Sequence, residues 1–147
     1  MTRSASPGTG HGEPVSPGDR APILERRLGA ERLVAYAGAT WDWHRLHYDA
    51  GYIAQRGLPG PLVDGQMFGA LLAEQAIDWF GPRARITRMS FRFAAMVFAG
   101  ETVRVEGTVE SLRSDGDGQV VTLRQSILRP DGSAAVAGAT TEVKVPG

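Results

Sequence analysis

Two of the three histidines lie close to a carboxylate in the segment Trp41-Asp42-Trp43-His44-Arg45-Leu46-His47. An imidazole can accept or donate a proton near neutral pH, and a neighbouring carboxylate can orient the ring and stabilise its charged form. Asp42 and His47 are therefore a candidate general acid–base pair. Because an Asp five residues before a His is common by chance, this interpretation needs support from the surrounding elements.

The pair lies in an irregular, aromatic-rich stretch at 38–48. Before it, residues 23–28 alternate as a strand does, and residues 30–37 have the spacing of a helix. After it, Asp49 is placed to cap a short helix that closes at Gly57. Catalytic groups favour loops that a rigid scaffold holds in place, so this position supports a functional interpretation.

The longest helix is predicted over residues 65–80, and its first charged residue is Glu74. A helix that is uncharged through its first half is expected to be buried nearly all round. Four strands separated by turn residues are predicted after it, at 85–93, 102–112, 119–128 and 134–145. This order predicts an α+β protein with a single hotdog fold, in which an antiparallel five-stranded sheet wraps around one central buried helix.

The composition limits the kinds of partner. Sixteen Lys and Arg balance sixteen Asp and Glu, so neither nucleic acid nor a membrane surface is an expected partner. The absence of cysteine excludes disulfides, thiolate nucleophiles and Cys-based metal sites, and no metal or cofactor is predicted. No apolar run is long enough for a signal peptide or a membrane span, which predicts a soluble, cytoplasmic protein.

Residues 1–20 are rich in Pro, Gly and Ser and have almost no large apolar side chain. Such a segment cannot bury enough surface to offset the entropy lost on ordering. We therefore expect a flexible leader at 1–20, with His11 as a solvated residue within it, followed by one hotdog domain at 21–147.

The motif order resembles the MaoC-like dehydratase family, which includes (R)-specific enoyl-CoA hydratases. The family signature Asp-x-Asn-Pro-(Ile/Leu)-His-x-Asp matches residues 42–49, and the family's His-Gly pair at the helix start matches Asp64-Gly65. Residues 90–103 resemble the strand and Gly-acidic turn that follow the helix in the family. The resemblance covers about residues 23–146.

The resemblance implies hydration of 2-enoyl thioesters, or the reverse dehydration of 3-hydroxyacyl thioesters, with acyl-CoA favoured over acyl-ACP as substrate. Asp42 and His47 would be the catalytic pair that binds the water. The Gly65 N–H would stabilise negative charge on the thioester carbonyl, although a plain turn glycine is an equal alternative. No cofactor is implied. The implied partner is a second hotdog chain, in a homodimer or in a heteromer.

Four positions make the pocket unusual for the family. His44 and Arg45 stand where the family has Asn-Pro, and Asp64 stands where it has His. Ala73 stands where the bacterial hydratases commonly have a serine. His44, Asp64 and Trp43 are therefore possible pocket residues, with a purely structural role the simpler interpretation for His44 and Trp43.

A looser similarity, to single-hotdog hydratases of bacterial steroid side-chain degradation, lies in segments 39–49 (ATWDWHRLHYD) and 77–93 (IDWFGPRARITRMSFRF). In that subgroup the subunit pairs with a second MaoC-like chain of different sequence. A bulky acyl-CoA substrate is therefore a hypothesis.

Two other functions stay open at this point. A hotdog thioesterase would use a carboxylate near or on the central helix, where Asp64 and Glu74 are available. A non-catalytic partner subunit of a heteromeric hydratase would not need both Asp42 and His47, so their joint presence argues against that role.

Overall fold

A computed structural model describes residues 13–147. The strands are β1 (Leu24–Arg27), β2 (Arg85–Ser90), β3 (Thr102–Asp115), β4 (Gly118–Leu128) and β5 (Ala134–Val145). The helices are α1 (Ala30–Thr40), α2 (Ala50–Gln55) and α3 (Gly65–Phe80), with a 3₁₀ turn at Arg45–His47. None of the helices described is both long enough and apolar enough to cross a membrane.

The five strands form one antiparallel sheet in the order β1-β3-β4-β5-β2. Helix α3 packs on this sheet through apolar side chains that are almost fully buried, among them Phe68, Leu71 and Leu72. Removing such side chains from water is the main favourable contribution to folding. The predicted hotdog fold, with five strands around one buried helix, is confirmed.

A buried polar network also joins α3 to the sheet. Gln125 on β4 donates from Nε2 to the carbonyl oxygen of Leu72 at 3.1 Å and to Oε1 of Gln75 at 2.9 Å. Thr141 on β5 donates from Oγ1 to Oε1 of Gln125 at 2.6 Å. Gln75 in turn donates to the Val105 carbonyl on β3 at 2.9 Å. Because each buried group has a partner, the hydrogen bonds of the network offset the cost of removing these groups from water, and the network fixes the position of the helix.

The segment just before β1 differs from the flexible leader expected at 1–20. The N–H of Gly18 donates to the Val109 carbonyl at 2.8 Å, and the N–H of Val109 donates to the Asp19 carbonyl at 2.8 Å. Together with the bond from the Ala21 N–H to the Gly107 carbonyl at 2.9 Å, these bonds attach residues 18–21 to β3 without any large apolar side chain, which is why composition did not predict them. Residues 1–12, including His11, lie outside the part of the chain that the structure describes.

Candidate active site

At the end of α1, the left-handed backbone conformation of Trp41 turns the chain toward Asp42 and His47. Trp41 has φ 58° and ψ 28°, and it is the one non-glycine residue with positive φ between positions 13 and 147. This conformation costs an L residue roughly 1–2 kcal/mol. The turn lets the N–H of Asp42 donate to the Ala37 carbonyl at 3.1 Å. Backbone strain therefore lies directly before Asp42, as is common beside functional groups.

His44 caps the 3₁₀ turn that carries His47. Its Nδ1 accepts a hydrogen bond from the Leu46 N–H at 3.2 Å, and its own N–H donates to Oδ1 of Asp42 at 3.3 Å. The rings of His44 and His47 lie 6.0 Å apart between centroids. These two bonds support the structural role that the sequence favours for His44, which stays a prediction, because they hold the turn that carries His47.

His47 has one ring nitrogen fixed by the backbone. Its Nδ1 lies 2.6 Å from the carbonyl oxygen of Leu62, which can only accept a hydrogen bond. In the neutral ring, the lone pair is then on Nε2. The side chain is half-buried, so this lone pair lies in a partly desolvated site.

Asp42, His47 and Asp64 come together in space. One side-chain oxygen or nitrogen from each of the three lies within 4.8 Å of the others. The structure therefore brings the predicted pair together and adds Asp64 to it. Two carboxylates and an imidazole can hold or move protons, and they are also ligand types that divalent cations accept.

Asp64 is the N-cap of α3. Its Oδ1 accepts a hydrogen bond from the Gln66 N–H at 2.9 Å. Its Oδ2 is buried, and none of residues 13–147 donates a hydrogen bond to it. Burial and, to a smaller extent, the charge of Asp64 raise the pKa of Tyr36 above its ordinary value of 10.0. Tyr36 therefore keeps its phenolic proton in the neighbourhood of this carboxylate.

Gly65, the first residue of α3, lies against the ring of Phe93. A Cβ atom at position 65 would be 2.3 Å from Cζ of Phe93, so a larger residue would displace the ring. The N–H of Gly65 makes no hydrogen bond to any other described residue. A free N–H at a helix N-terminus is suited to binding a developing oxyanion.

An open apolar cavity of about 370 Å³ lies beside Gly65. It is lined by residues from two segments, 62–68 and 93–97. Two of these residues, Phe93 and Met96, are 63% and 54% exposed. Sequence reasoning did not single them out, because an apolar residue near the end of a strand has the same pattern whether it faces a core or a cavity. The size and apolar lining of the cavity are typical of a small-molecule site.

Two other residues considered from the sequence lie elsewhere. Trp43 packs against Gly38 and makes edge contacts with Trp41 and Tyr48, and it is not among the residues that line the cavity beside Gly65. Glu74 pairs with Arg26 of β1, whose Nε lies 3.1 Å from its Oε1. That ion pair gives Glu74 a structural role at the point where α3 meets the edge of the sheet.

Comparison with known proteins bears on this site. A family model described as MaoC like domain matches residues 8–128. An (R)-specific enoyl-CoA hydratase of Aeromonas caviae is 32% identical over 127 residues, which cover 84% of this chain and 90% of the hydratase.

Solved structures share the fold. The (R)-hydratase from A. caviae involved in PHA biosynthesis matches with a TM-score of 0.81 at 28% identity, over 90% of this chain and 98% of that one. A chain of the ChsH1-ChsH2 complex from Mycobacterium tuberculosis matches with a TM-score of 0.78 at 25% identity, over 88% and 98% of the two chains.

Proposed function

The chain belongs to the MaoC-like domain family, and from this membership we propose that it hydrates 2-enoyl thioesters, or dehydrates 3-hydroxyacyl thioesters in the reverse direction. The observation that carries the proposal is the approach of Asp42 to His47, whose ring is oriented by the Leu62 carbonyl. The reaction named for the Aeromonas caviae relative supports the same reaction here. We propose acyl-CoA as the form of the thioester.

In the proposed reaction, Asp42 and His47 hold a water molecule against the β-carbon of the enoyl group. As the water oxygen bonds to that carbon, the water gives up one proton to the site. A second proton passes from the site to the α-carbon, so that one water is added in all. His47 suits such work because its Nε2 is not used by the backbone.

The charge that develops during the reaction requires a hydrogen-bond donor. Attack at the β-carbon moves electron density onto the thioester oxygen, which becomes an enolate. The N–H of Gly65 and the positive end of the α3 dipole would stabilise this oxygen. A glycine there also lets the thioester approach the backbone closely.

The apolar cavity beside Gly65 is the proposed place of the acyl group. Its open side and the exposed Phe93 and Met96 fit a site that a second hotdog chain would complete. The match to a chain of the ChsH1-ChsH2 complex supports a heteromer as one form of that assembly, and a homodimer is the other.

The test is a panel of 2-enoyl-CoA substrates of increasing length and bulk, assayed with and without candidate partner chains. Loss of the enoyl absorbance together with an intact thioester is the expected result. Release of free thiol without hydration would replace the proposal with a thioesterase. No turnover of any substrate, alone or with a partner that is itself active, would indicate a non-catalytic subunit.

A further inference from the structure

The site contains more hydrogen-bond acceptors than the proposed pair requires. His47 uses Nδ1 on the Leu62 carbonyl, which leaves the Nε2 lone pair. Asp64 uses Oδ1 to cap α3, which leaves Oδ2 buried with no donor among residues 13–147. Asp42 accepts one long bond, from the His44 N–H at 3.3 Å. One side-chain oxygen or nitrogen of each of these three residues lies within 4.8 Å of the others, so the free acceptors belong to side chains that meet at one place.

We propose that Asp64 is a third catalytic residue, whose Oδ2 accepts one hydrogen bond from the reacting water while Asp42 accepts the other, with His47 beside them as the proton donor. This inference rests on the proposed function and adds a residue to it. It assigns a partner to a buried carboxylate oxygen that would otherwise be costly to leave without a donor.

With Asp64 in the site, different groups carry out the two proton transfers: a carboxylate takes the proton from water, and His47 gives a proton to the α-carbon. A water that donates both protons to Asp42 and Asp64 turns a lone pair toward the β-carbon. As its oxygen bonds to that carbon, one proton moves to a carboxylate, while His47 in its charged form gives a proton from Nε2 to the α-carbon. The proton on the carboxylate then returns to His47, so one water is consumed and each group regains its starting state.

The capping role of Asp64 does not account for its second oxygen. Only Oδ1 bonds to the helix, and Ser or Asn caps a helix about as well as Asp does. If Asp64 served only as a cap, replacing Oδ2 by an uncharged group would leave the rate of hydration unchanged. The capping role of Oδ1 and the catalytic role of Oδ2 can therefore be tested separately.

Asp64→Asn separates them. Asn keeps the capping oxygen but replaces the acceptor Oδ2 with an NH₂ donor. We expect the kcat for hydration to fall about 10- to 100-fold, with KM within about twofold of wild type and an unchanged Tm. Asp131→Asn is the matched control, because Asp131 accepts from the Ser133 N–H in a distant turn and should leave kcat unchanged. An Asp64→Asn variant as fast as wild type would overturn the inference.

A crystal structure of the wild-type protein tests the inference independently of activity. We expect an ordered water within hydrogen-bond distance of Asp64 Oδ2, Asp42 and His47 Nε2. A direct bond from a protein donor such as the Tyr36 hydroxyl to Oδ2, or a metal ion held by the three groups, would overturn it. If the water is present but no enoyl thioester is hydrated, the proposed function fails while Asp64 keeps its place in the water site.

Discussion

The Nδ1 atom of His47 lies 2.6 Å from the carbonyl oxygen of Leu62, and the Leu62 N–H donates to the Leu46 carbonyl at 2.9 Å. The N–H and the carbonyl of Leu62, in the segment before α3, are therefore both hydrogen-bonded to the 3₁₀ turn. As a result, the backbone rather than Asp42 sets the orientation of the His47 ring. In the proposed reaction, Asp42 acts on water or substrate.

The two histidines near the site should be opposite tautomers when neutral. His47 donates from Nδ1, whereas Nδ1 of His44 accepts from the Leu46 N–H. We therefore expect the proton on Nδ1 in His47 and on Nε2 in His44. Long-range ¹H–¹⁵N NMR of the imidazole nitrogens distinguishes the two forms. The same tautomer in both rings would contradict the geometry of the turn.

Gly65→Ala should reduce both stability and activity, because the new methyl group meets the Phe93 ring. Overpacking at this contact is expected to cost about 1 kcal/mol in the free energy of unfolding, measured with urea. The double variant Gly65→Ala/Phe93→Ala should regain that stability. Hydration should stay slow in the double variant, because the methyl group still keeps the thioester from the N–H of residue 65. Full activity in either variant would exclude Gly65 from the site.

Asp49 should make the fold sensitive to acid. A backbone hydrogen bond from Tyr52 and then a side-chain bond from Arg45 lower the pKa of Asp49 below its ordinary value of 3.8. A lowered pKa stabilises the fold above pH 3.8, and this contribution is lost as the pH falls through the pKa of the folded state. Asp49→Asn should be less stable than wild type at neutral pH, with a difference that shrinks below pH 3.8. Urea titrations across pH check this, and a constant difference would contradict it.

Gln125→Leu should destabilise the fold although it makes the core more apolar. The change leaves the Thr141 hydroxyl and the Leu72 carbonyl without their buried partner. The expected loss is about 1–3 kcal/mol in the free energy of unfolding. Gln119→Leu, at an exposed position of the same strand, is the control and should have little effect. Equal stability of the two variants would mean that the network contributes nothing.

The sequence predicted the elements better than the contacts between them. Helix α3 begins and ends as expected, because its uncharged first half must be buried and Gly81-Pro82 stops it. Strand β2 ends at Ser90 rather than at residue 93. Beyond Ser90, Phe93 keeps only an isolated bridge to Val136, and the chain leaves the sheet to line the cavity. Alternation alone does not indicate where a strand leaves its neighbour.

Two features of the site could not be predicted from residue patterns. Trp41 adopts a left-handed conformation that Gly or Asn adopts more easily, so nothing in its type indicated the turn before Asp42. The sequence predicts Asp64 as a possible pocket residue and as a candidate thioesterase carboxylate, but not its place beside Asp42 and His47. Its approach to His47 depends on the path of the chain through α2 and the turn after it, and its buried oxygen is evident only from the packing.

The most direct test of the central claim is the rate of enoyl-CoA hydration by Asp42→Asn, His47→Gln and the double variant. We predict that each single change lowers kcat/KM at least about 100-fold, with circular dichroism unchanged. The double variant should be little slower than the slower single variant, because the two residues act as a unit. Hydration within about twofold of wild type in either single variant would contradict the assignment of Asp42 and His47 as the catalytic pair.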